Sequence, residues 1–196
     1  EMCIRDSIMT TQNDETALGQ GSSVKMETQE TMKIIAAGNI FTGTFERDGM
    51  GGILTLGRNF ECRPNKLKGY YKYTSAKVSV SKGHLNEGED DLCSLYIALT
   101  DEQITVNTNK GIYFDPNSSA VIAYGSISDE ESKGADSFKE FTVDLEYKDL
   151  KRIPKYIIVV ASSSKYGDYM EGGKGSTMWL DDLELVYPKS MEEVRK

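Results

Sequence analysis

The sequence contains little of the chemistry on which most enzymes depend. Its only histidine is His84, so it holds no HExxH zinc motif, and a Ser-His-Asp triad would depend on this one residue of a polar segment. The glycine-rich residues 172–176 lack the spacing of a phosphate-binding loop. These absences argue against a zinc protease, a serine hydrolase and a nucleotide-binding enzyme. We expect His84 to be a solvated loop residue.

Long apolar runs and an excess of positive charge are also missing. No stretch approaches the roughly 20 apolar residues that span a bilayer. Residues 1–7 lack the pattern of a signal peptide and look like translated adapter sequence, so we expect them to be non-native. The net charge of −8 excludes non-specific binding to nucleic acid, whose phosphates need a field of Lys and Arg. It fits a neutral ligand such as a polysaccharide.

Cysteine is scarce as well. Apart from Cys3, only Cys62 and Cys93 occur, and their spacing matches neither a zinc knuckle nor a CxxC redox pair. A disulfide between them needs Cα atoms about 4.4–6.8 Å apart, which a sequence does not show. Two buried free thiols are the alternative.

The sequence is rich in the period of two that is typical of β-strands, and it shows no sustained helical period. The clearest alternation, in residues 91–100, has one face with Cys93, Leu95, Ile97 and Leu99. Its other face has Ser94, Tyr96, Ala98 and Thr100. Extended segments are also predicted at residues 24–28, 32–45, 53–56, 66–74, 78–80, 121–125, 138–147, 156–162 and 178–187.

This pattern predicts an all-β fold, a jelly-roll-like antiparallel β-sandwich. We assign it to one domain over residues 8–188. Residues 8–22 are a linker or a loop of that domain, and residues 189–196 are a charged, frayed tail. Gly51-Gly52 is predicted to form a turn.

The densest candidate site follows the predicted strand at residues 156–162. Here Lys165, Tyr166, Asp168 and Tyr169 are interleaved with serines and glycines. Aromatic rings at a sandwich rim can stack on the C–H face of a sugar, while Asp and Lys side chains bond its hydroxyl groups. The alternative is a long hairpin whose tyrosines only cover the edge of the core.

Further aromatic and basic residues are candidates for the same ligand. In residues 63–73, alternation places Tyr71 and Tyr73 on one face and the other strand residues on the opposite face, so one face belongs to the core. The further candidates for carbohydrate binding are Arg63, Tyr70, Lys72, Tyr96, Tyr124 and Trp179. For Trp179, the leucines that follow it favour burial instead.

Acidic residues provide a candidate metal site but no catalytic pair. Asp181 and Asp182 lie in a predicted strand, where Asp is depleted, and their oxygens suit a structural Ca²⁺. The alternative is one exposed carboxylate and one bonded to backbone N–H groups. A glycosidase needs two carboxylates at a defined separation, and no local motif nominates them. The acid runs at residues 87–91 and 129–131 are predicted to be solvated loops.

The chain resembles the putative carbohydrate metabolism domain of Bacteroidetes surface lipoproteins. The resemblance extends from about residue 24 to residue 187. It depends on the order and spacing of four stretches, residues 38–45, 63–73, 121–125 and 161–182.

The resemblance implies a jelly roll like those of carbohydrate-binding modules, at the outer surface of the cell. Any association with the membrane would come through a lipid anchor in a preceding part. It implies no established catalytic residue. In similar folds a terminal Asp pair helps to hold calcium, and Asp181 or Asp182 matches that position. Related domains begin with one further strand, so we expect a missing edge strand and an exposed strand at residues 24–28.

Three functions remain open. The first is a non-catalytic, monomeric module that binds a polysaccharide or other glycan. The second is a structural or adhesive surface module without a small ligand. The third is a glycoside hydrolase or lyase with dispersed acids.

Overall fold

The computed structural model describes residues 9–49 and 51–188, and within them the chain is all-β. The adapter-like residues 1–7 and the charged tail at 189–196 therefore lie outside the described residues. The strands are, in chain order, β1 (Thr10–Asn13), β2 (Ser23–Glu27), β3 (Gln29–Thr31), β4 (Ile34–Ala36), β5 (Asn39–Phe41), β6 (Gly43–Asp48), β7 (Gly51–Leu56), β8 (Arg58–Asn59), β9 (Lys66–Thr74), β10 (Ser94–Thr100), β11 (Ile104–Asn107), β12 (Val121–Ser126), β13 (Ala135–Asp144), β14 (Glu146–Tyr147), β15 (Tyr156–Ser162) and β16 (Thr177–Val186). Single 3₁₀ turns lie at Thr108–Lys110, Glu131–Lys133 and Gly167–Tyr169.

Two antiparallel sheets form the sandwich. One has the order β1-β2-β16-β9-β13. The other has the order β14-β12-β10-β15-β5, and β8 also pairs with β15. The predicted antiparallel β-sandwich is confirmed.

The core lies between these sheets and follows the alternation of the sequence. On β9, Leu67, Tyr71 and Tyr73 point inward and are buried, while Tyr70 and Lys72 lie on the outer face. The ring of Tyr71 meets that of Phe141 edge to face, with ring centroids 6.0 Å apart. From β10 come Leu95, Ile97 and Leu99, each at most 1% exposed. Tyr71 and Tyr73 are therefore structural, and their burial fixes which face of β9 meets solvent.

The outer face of the second sheet is buried too, by a third layer. A small sheet of order β11-β7-β6 packs there. The resulting second apolar cluster contains Phe41, Leu56, Ala98, Val106 and Ile158. This layer explains why β15 is apolar on both faces.

Gly51 and Gly52 lie within β7, so the predicted turn at these residues is wrong. A Cβ at Gly52 would lie 2.1 Å from ring carbon Cε2 of Phe45. The glycine is needed because the Phe45 ring of the neighbouring strand packs over that position.

The segment before residue 24 is part of the fold. Its strand β1 pairs with β2 from Thr10↔Met26 to Asn13↔Ser23. The edge of β2 that we expected to be exposed is therefore covered. Val78 and Val80, predicted to be extended, lie outside the strands, and Val80 forms only an isolated bridge with Gly172.

The cysteines are unpaired in the described structure. Cys62 is exposed, and Cys93 is fully buried in the core. Burial raises the pKa of the Cys93 thiol to about 12, so this thiol stays protonated and unreactive.

Helices contribute little to this fold. Within the described residues, no helix is long and apolar enough to cross a membrane.

Replacing Ile97 by Ala tests the central position of β10. Ile97 is 0% exposed, so the variant leaves a cavity between the main sheets. We expect the free energy of unfolding to fall by about 2–5 kcal/mol in urea denaturation. The matched control is Ile153→Ala, because Ile153 is 68% exposed. Equal losses in both variants would contradict the described core.

Candidate functional site

A cleft of about 360 Å³ opens where the third layer meets the loops next to β4 and β15. Its apolar walls include Ile35, Phe41, Phe45, Leu54 and Met170. Its polar lining includes Thr10, Asn39, Arg47, Thr108 and Asp168. Apolar walls with a few polar groups are typical of small-molecule sites.

A smaller pocket of about 50 Å³ adjoins the cleft. The two cavities share Asn39, Phe41, Leu54 and Asp168. The other residues of the inner pocket include apolar Leu56, Val106 and Val160 and polar Ser94, Tyr96, Ser162, Ser164 and Lys165. The outer face of β10 and β15 thus forms the floor of the inner pocket.

Asp168 lies at the junction of the two cavities, within the 3₁₀ turn Gly167–Tyr169. Its carboxylate meets solvent in the cleft, yet protein atoms crowd it, and this desolvation raises its pKa above the ordinary value. Among the described residues it has no hydrogen-bond donor. The turn approaches the cleft wall closely, since a Cβ at Gly167 would lie 2.5 Å from that of Ala37. Asp168 is therefore a carboxylate free to bond a ligand.

Tyr96 also brings a polar group without a protein partner to the inner pocket. Its ring forms a three-membered cluster with Phe114, at 5.0 Å between centroids, and Tyr124, at 6.0 Å, and these two rings are 6.2 Å apart. Within the described chain, its hydroxyl group has no hydrogen-bond partner. Burial and, to a smaller degree, the charge of Asp168 raise the pKa of Tyr96, so the hydroxyl stays a donor.

An aromatic cluster lies beside Asp168. Tyr113 stacks on Tyr169 with centroids 3.9 Å apart, and Tyr169 contacts His84 at 4.3 Å. His84 in turn stacks on Tyr166 at 4.4 Å. Tyr113 and Tyr166 are therefore the two ends of the chain of ring contacts that runs through Tyr169 and His84. Tyr166 also meets Tyr169 directly, with centroids 6.4 Å apart.

Glu171 holds the turn that carries His84. Glu171 is 0% exposed, and its carboxylate accepts hydrogen bonds from the backbone N–H groups of Lys82 at 2.8 Å and Leu85 at 2.5 Å. It also contacts His84 Nδ1 at 3.1 Å. Burial alone would raise its pKa, but the bonds from Leu85 and His84 outweigh burial and lower it. His84 is an exposed loop residue, as expected, but Glu171 and two tyrosines also fix it in place.

Asp91 anchors the base of the same loop. It is 0% exposed, and its carboxylate accepts hydrogen bonds from Ser164 Oγ at 2.6 Å and from the Gly173 N–H at 2.8 Å. Ser164 Oγ also bonds Thr28 Oγ1 at 2.6 Å. Burial raises the pKa of Asp91 despite these bonds. The acid run at residues 87–91 was predicted to be solvated, and this is wrong for Asp91.

The predicted binding residues fall into two groups. Those at or beside the cleft and its inner pocket are Tyr96, Tyr124, Lys165, Tyr166, Asp168 and Tyr169. Of these, Tyr96, Lys165 and Asp168 line a cavity, and the three other tyrosines adjoin them in the chain or through ring contacts. Those that neither line a cavity nor adjoin a lining residue in this way are Arg63, Tyr70, Lys72 and Trp179.

The second group has other contacts. Arg63 packs over the ring of Tyr147, with its guanidinium carbon 5.6 Å from the centroid. Lys72 Nζ lies 4.3 Å from the centroid of Trp179, on the outer face of the first sheet. Tyr70 is opposite Glu140 on that sheet.

Asp181 and Asp182 lie at a bulge of β16. Asp181 accepts the backbone N–H groups of Ala17 at 2.8 Å and Asp182 at 3.0 Å. Asp182 is exposed and has a left-handed φ of 48°. The described residues contain no group of three or more His, Cys, Asp or Glu that could hold a metal ion. The calcium site stays a prediction.

Sequence reasoning missed four residues of this region. Tyr113 and His84 are more than 50 residues from Tyr169 in the chain, and only the closure of loops brings them together. Phe45 and Arg47 lie on β6, in the third layer. The one available signal was Gly51-Gly52, since glycines inside a strand often mark the close approach of another group.

The fold and site together define a β-sandwich protein with a small-molecule cleft at one edge of its third layer. A family model described as the putative carbohydrate metabolism domain matches residues 5–186. The chain belongs to this family, and its role is carbohydrate-related.

Two solved structures are similar to this chain. One is described as a putative glycoside hydrolase from Bacteroides thetaiotaomicron, with a TM-score of 0.74 and 24% identity over 94% of this chain and 58% of that one. Another is described as a putative glycoside hydrolase from Bacteroides vulgatus, with a TM-score of 0.71 and 24% identity over 91% of this chain and 77% of that one. At this identity the likeness shows the fold. The chain spans 58% of the first of these proteins. No curated protein matches the chain.

Replacing Glu171 by Gln tests the support of the aromatic cluster. The variant turns an amide group toward backbone N–H donors, and we expect a loss of about 1–3 kcal/mol in the free energy of unfolding at pH 7. The folded-state pKa of Glu171 is lowered, so its contribution is present above the unfolded value of about 4.3. That contribution is lost as the pH falls through the folded value.

Urea denaturation of both proteins from pH 7 to pH 3 measures this difference. We expect the gap between wild type and variant to shrink toward pH 3. A gap that widens on acidification would contradict the role of the carboxylate.

Proposed function

We propose that this chain is a non-catalytic module that binds a glycan in the cleft around Asp168. The observation that carries the proposal is the pair of polar groups without partners, the Asp168 carboxylate and the Tyr96 hydroxyl, in a cavity with apolar walls. Both groups reach solvent in the cavity, so each can exchange its water for a hydroxyl group of a ligand.

Sugars match this arrangement because each ring has apolar C–H faces and a rim of hydroxyl groups. Phe45, which is 38% exposed, offers an aromatic surface in the cleft. Asp168 accepts hydrogen bonds from hydroxyl groups, and the side chains of Asn39 and Thr108 both donate and accept hydrogen bonds. A hydrogen bond to a charged group contributes about 1.5–3 kcal/mol, so Asp168 is the strongest single polar anchor.

The composition of the cleft supports binding over hydrolysis. Glycosidases use two carboxyl groups about 5–5.5 Å or 6.5–9.5 Å apart on either side of the scissile bond. Among the described lining residues of both cavities, Asp168 is the one carboxylate. Asp91 is fully buried and already bonded within the protein.

The structural or adhesive alternative has one observation in its favour. The tyrosines of the loop after β15 partly satisfy one another, since Tyr169 is covered by Tyr113 and His84. The cleft beside them stays open, which favours a ligand.

The setting we propose is the outer cell surface, as one domain of a lipid-anchored protein. Family membership supports a carbohydrate-related role. The description of both structural neighbours as putative glycoside hydrolases supports a glycan as the ligand. A structural Ca²⁺ at Asp181 and Asp182 and a monomeric state belong to the same proposal.

Replacing Asp168 by Asn tests the central claim. On a glycan array with and without calcium, we expect wild type to bind and the variant to bind about 10- to 100-fold more weakly. Wild-type affinity should fall as the pH drops toward the raised pKa of Asp168, because protonation removes the charged acceptor. The variant should lack this pH dependence. Asp136→Asn, at an exposed position of β13, is the matched control.

Two results would contradict the proposal. One is the absence of binding to any plant, host or microbial glycan by the folded protein, which favours the structural alternative. The other is the release of shorter sugars from a bound glycan, lost in Asp168→Asn, which favours a hydrolase.

The double variant Tyr166→Ala/Tyr169→Ala tests the aromatic rim. It removes the two rings that hold His84, so we expect weaker glycan binding, with secondary structure by circular dichroism unchanged. A Tyr70→Ala variant is the control, because Tyr70 is on the outer face of the other sheet. Unchanged binding in the double variant would restrict the site to the cleft itself.

A further inference from the structure

The inner pocket differs from the cleft in size and in the chemistry of its walls. Resting on the proposed function, we infer that the bound sugar carries a methyl-bearing substituent, a 6-deoxy carbon or an acetyl group, and that this substituent occupies the inner pocket. The sugar ring itself then lies in the wider cleft.

The volume of the inner pocket sets the size of the substituent. An apolar cavity of about 150 Å³ binds benzene, which has six carbon atoms. A pocket of about 50 Å³ therefore has space for about two non-hydrogen atoms. A methyl group, or the methyl end of an acetyl group, fits that space, and a sugar ring does not.

One side of the inner pocket favours an apolar group. Phe41, Leu56 and Val106 are each at most 6% exposed and form its apolar side, together with Leu54 and Val160. A hydroxyl group placed against these side chains, away from Ser94, Tyr96 and Ser162 on the polar side, would lose its hydrogen bonds to water without replacing them. A methyl group gains from the same contact.

The polar groups at the mouth orient the sugar. Asp168 belongs to both cavities, so its carboxylate can accept the N–H of an acetamido group or the hydroxyl next to a 6-deoxy carbon. Lys165 is engaged elsewhere, since its ammonium group lies 3.1 Å from Asp129 Oδ1. Among the described lining residues, Arg47 lies in the wider cleft, so the mouth itself offers Asp168 and Asn39 rather than a cation.

The test compares sugars that differ in one substituent. Isothermal titration calorimetry would measure affinities for 6-deoxygalactose against galactose, and for N-acetylglucosamine against glucose. We expect the methyl-bearing member of at least one pair to bind about tenfold more tightly or better. The pair that shows this preference identifies the source of the methyl group.

Two variants locate the preference in the inner pocket. Val160→Thr keeps the shape of the wall but adds a hydroxyl group, and we expect it to reduce the preference by about threefold or more. Val186→Thr, at the far end of β16 in the other sheet, is the matched control. Ser94→Leu fills the pocket from β10, and we expect it to equalise the two members of the pair.

The outcomes separate this inference from the proposed function. Glycan binding with equal affinity for both members of each pair would overturn the inference and leave the glycan module standing. A preference that survives in both Val160→Thr and Ser94→Leu would overturn the placement in the inner pocket. If the folded protein binds no glycan at all, both fall.

Discussion

Burial of both faces of the second sheet is the constraint on which the rest of the structure depends. β10 and β15 are hydrogen-bonded from Ser94↔Ser162 to Thr100↔Tyr156, so their side chains form two continuous surfaces. One surface closes the core against the five-stranded sheet, and the other supports the third layer. The cleft exists because the third layer is smaller than the sheet that it covers. Its inner end lies between that surface and Leu54, Leu56 and Val106 of the third layer.

Three carboxylates near one loop show how environment decides the role of a group. Asp91 is buried, bonded by Ser164 and Gly173, and has a raised pKa. Glu171 is equally buried, but more donors surround it, and its pKa is lowered. Asp168, in the cleft, has a raised pKa and no bonding partner in the described chain. The first two fix the loop, and this rigidity leaves the third available for a ligand at little entropic cost.

The sequence was a good guide wherever the signal is local. Alternation in β9 and β10 gave the correct inward residues, since the two faces of a strand differ by one position in sequence. The third layer was not recognised, although the unbroken apolar run in β15 indicates burial on both faces.

At the site, Tyr166, Asp168 and Tyr169 were found because they are adjacent in the chain. Tyr113, His84 and Phe45 were missed because their place depends on loop closure and strand order. Propensity and periodicity do not encode those features. Trp179 and Lys72 were predicted to bind the ligand but lie on the outer face of the other sheet. A Trp beside apolar residues in the sequence does not reveal which sheet face will form a cleft.

The alternation along β10 also separates the residues that stabilise the core from those that contact a ligand. Leu95 and Ile97 belong to the core, while Ser94 and Tyr96, one position away, belong to the inner pocket. A single-residue insertion in this strand would exchange the two sets and destroy both at once. New ligand preferences can instead arise in β6, β7 and the loop around Asp168, which contribute little to the main core. Substitutions in the two main sheets therefore threaten the fold, whereas substitutions in the third layer can alter ligand recognition without unfolding the protein.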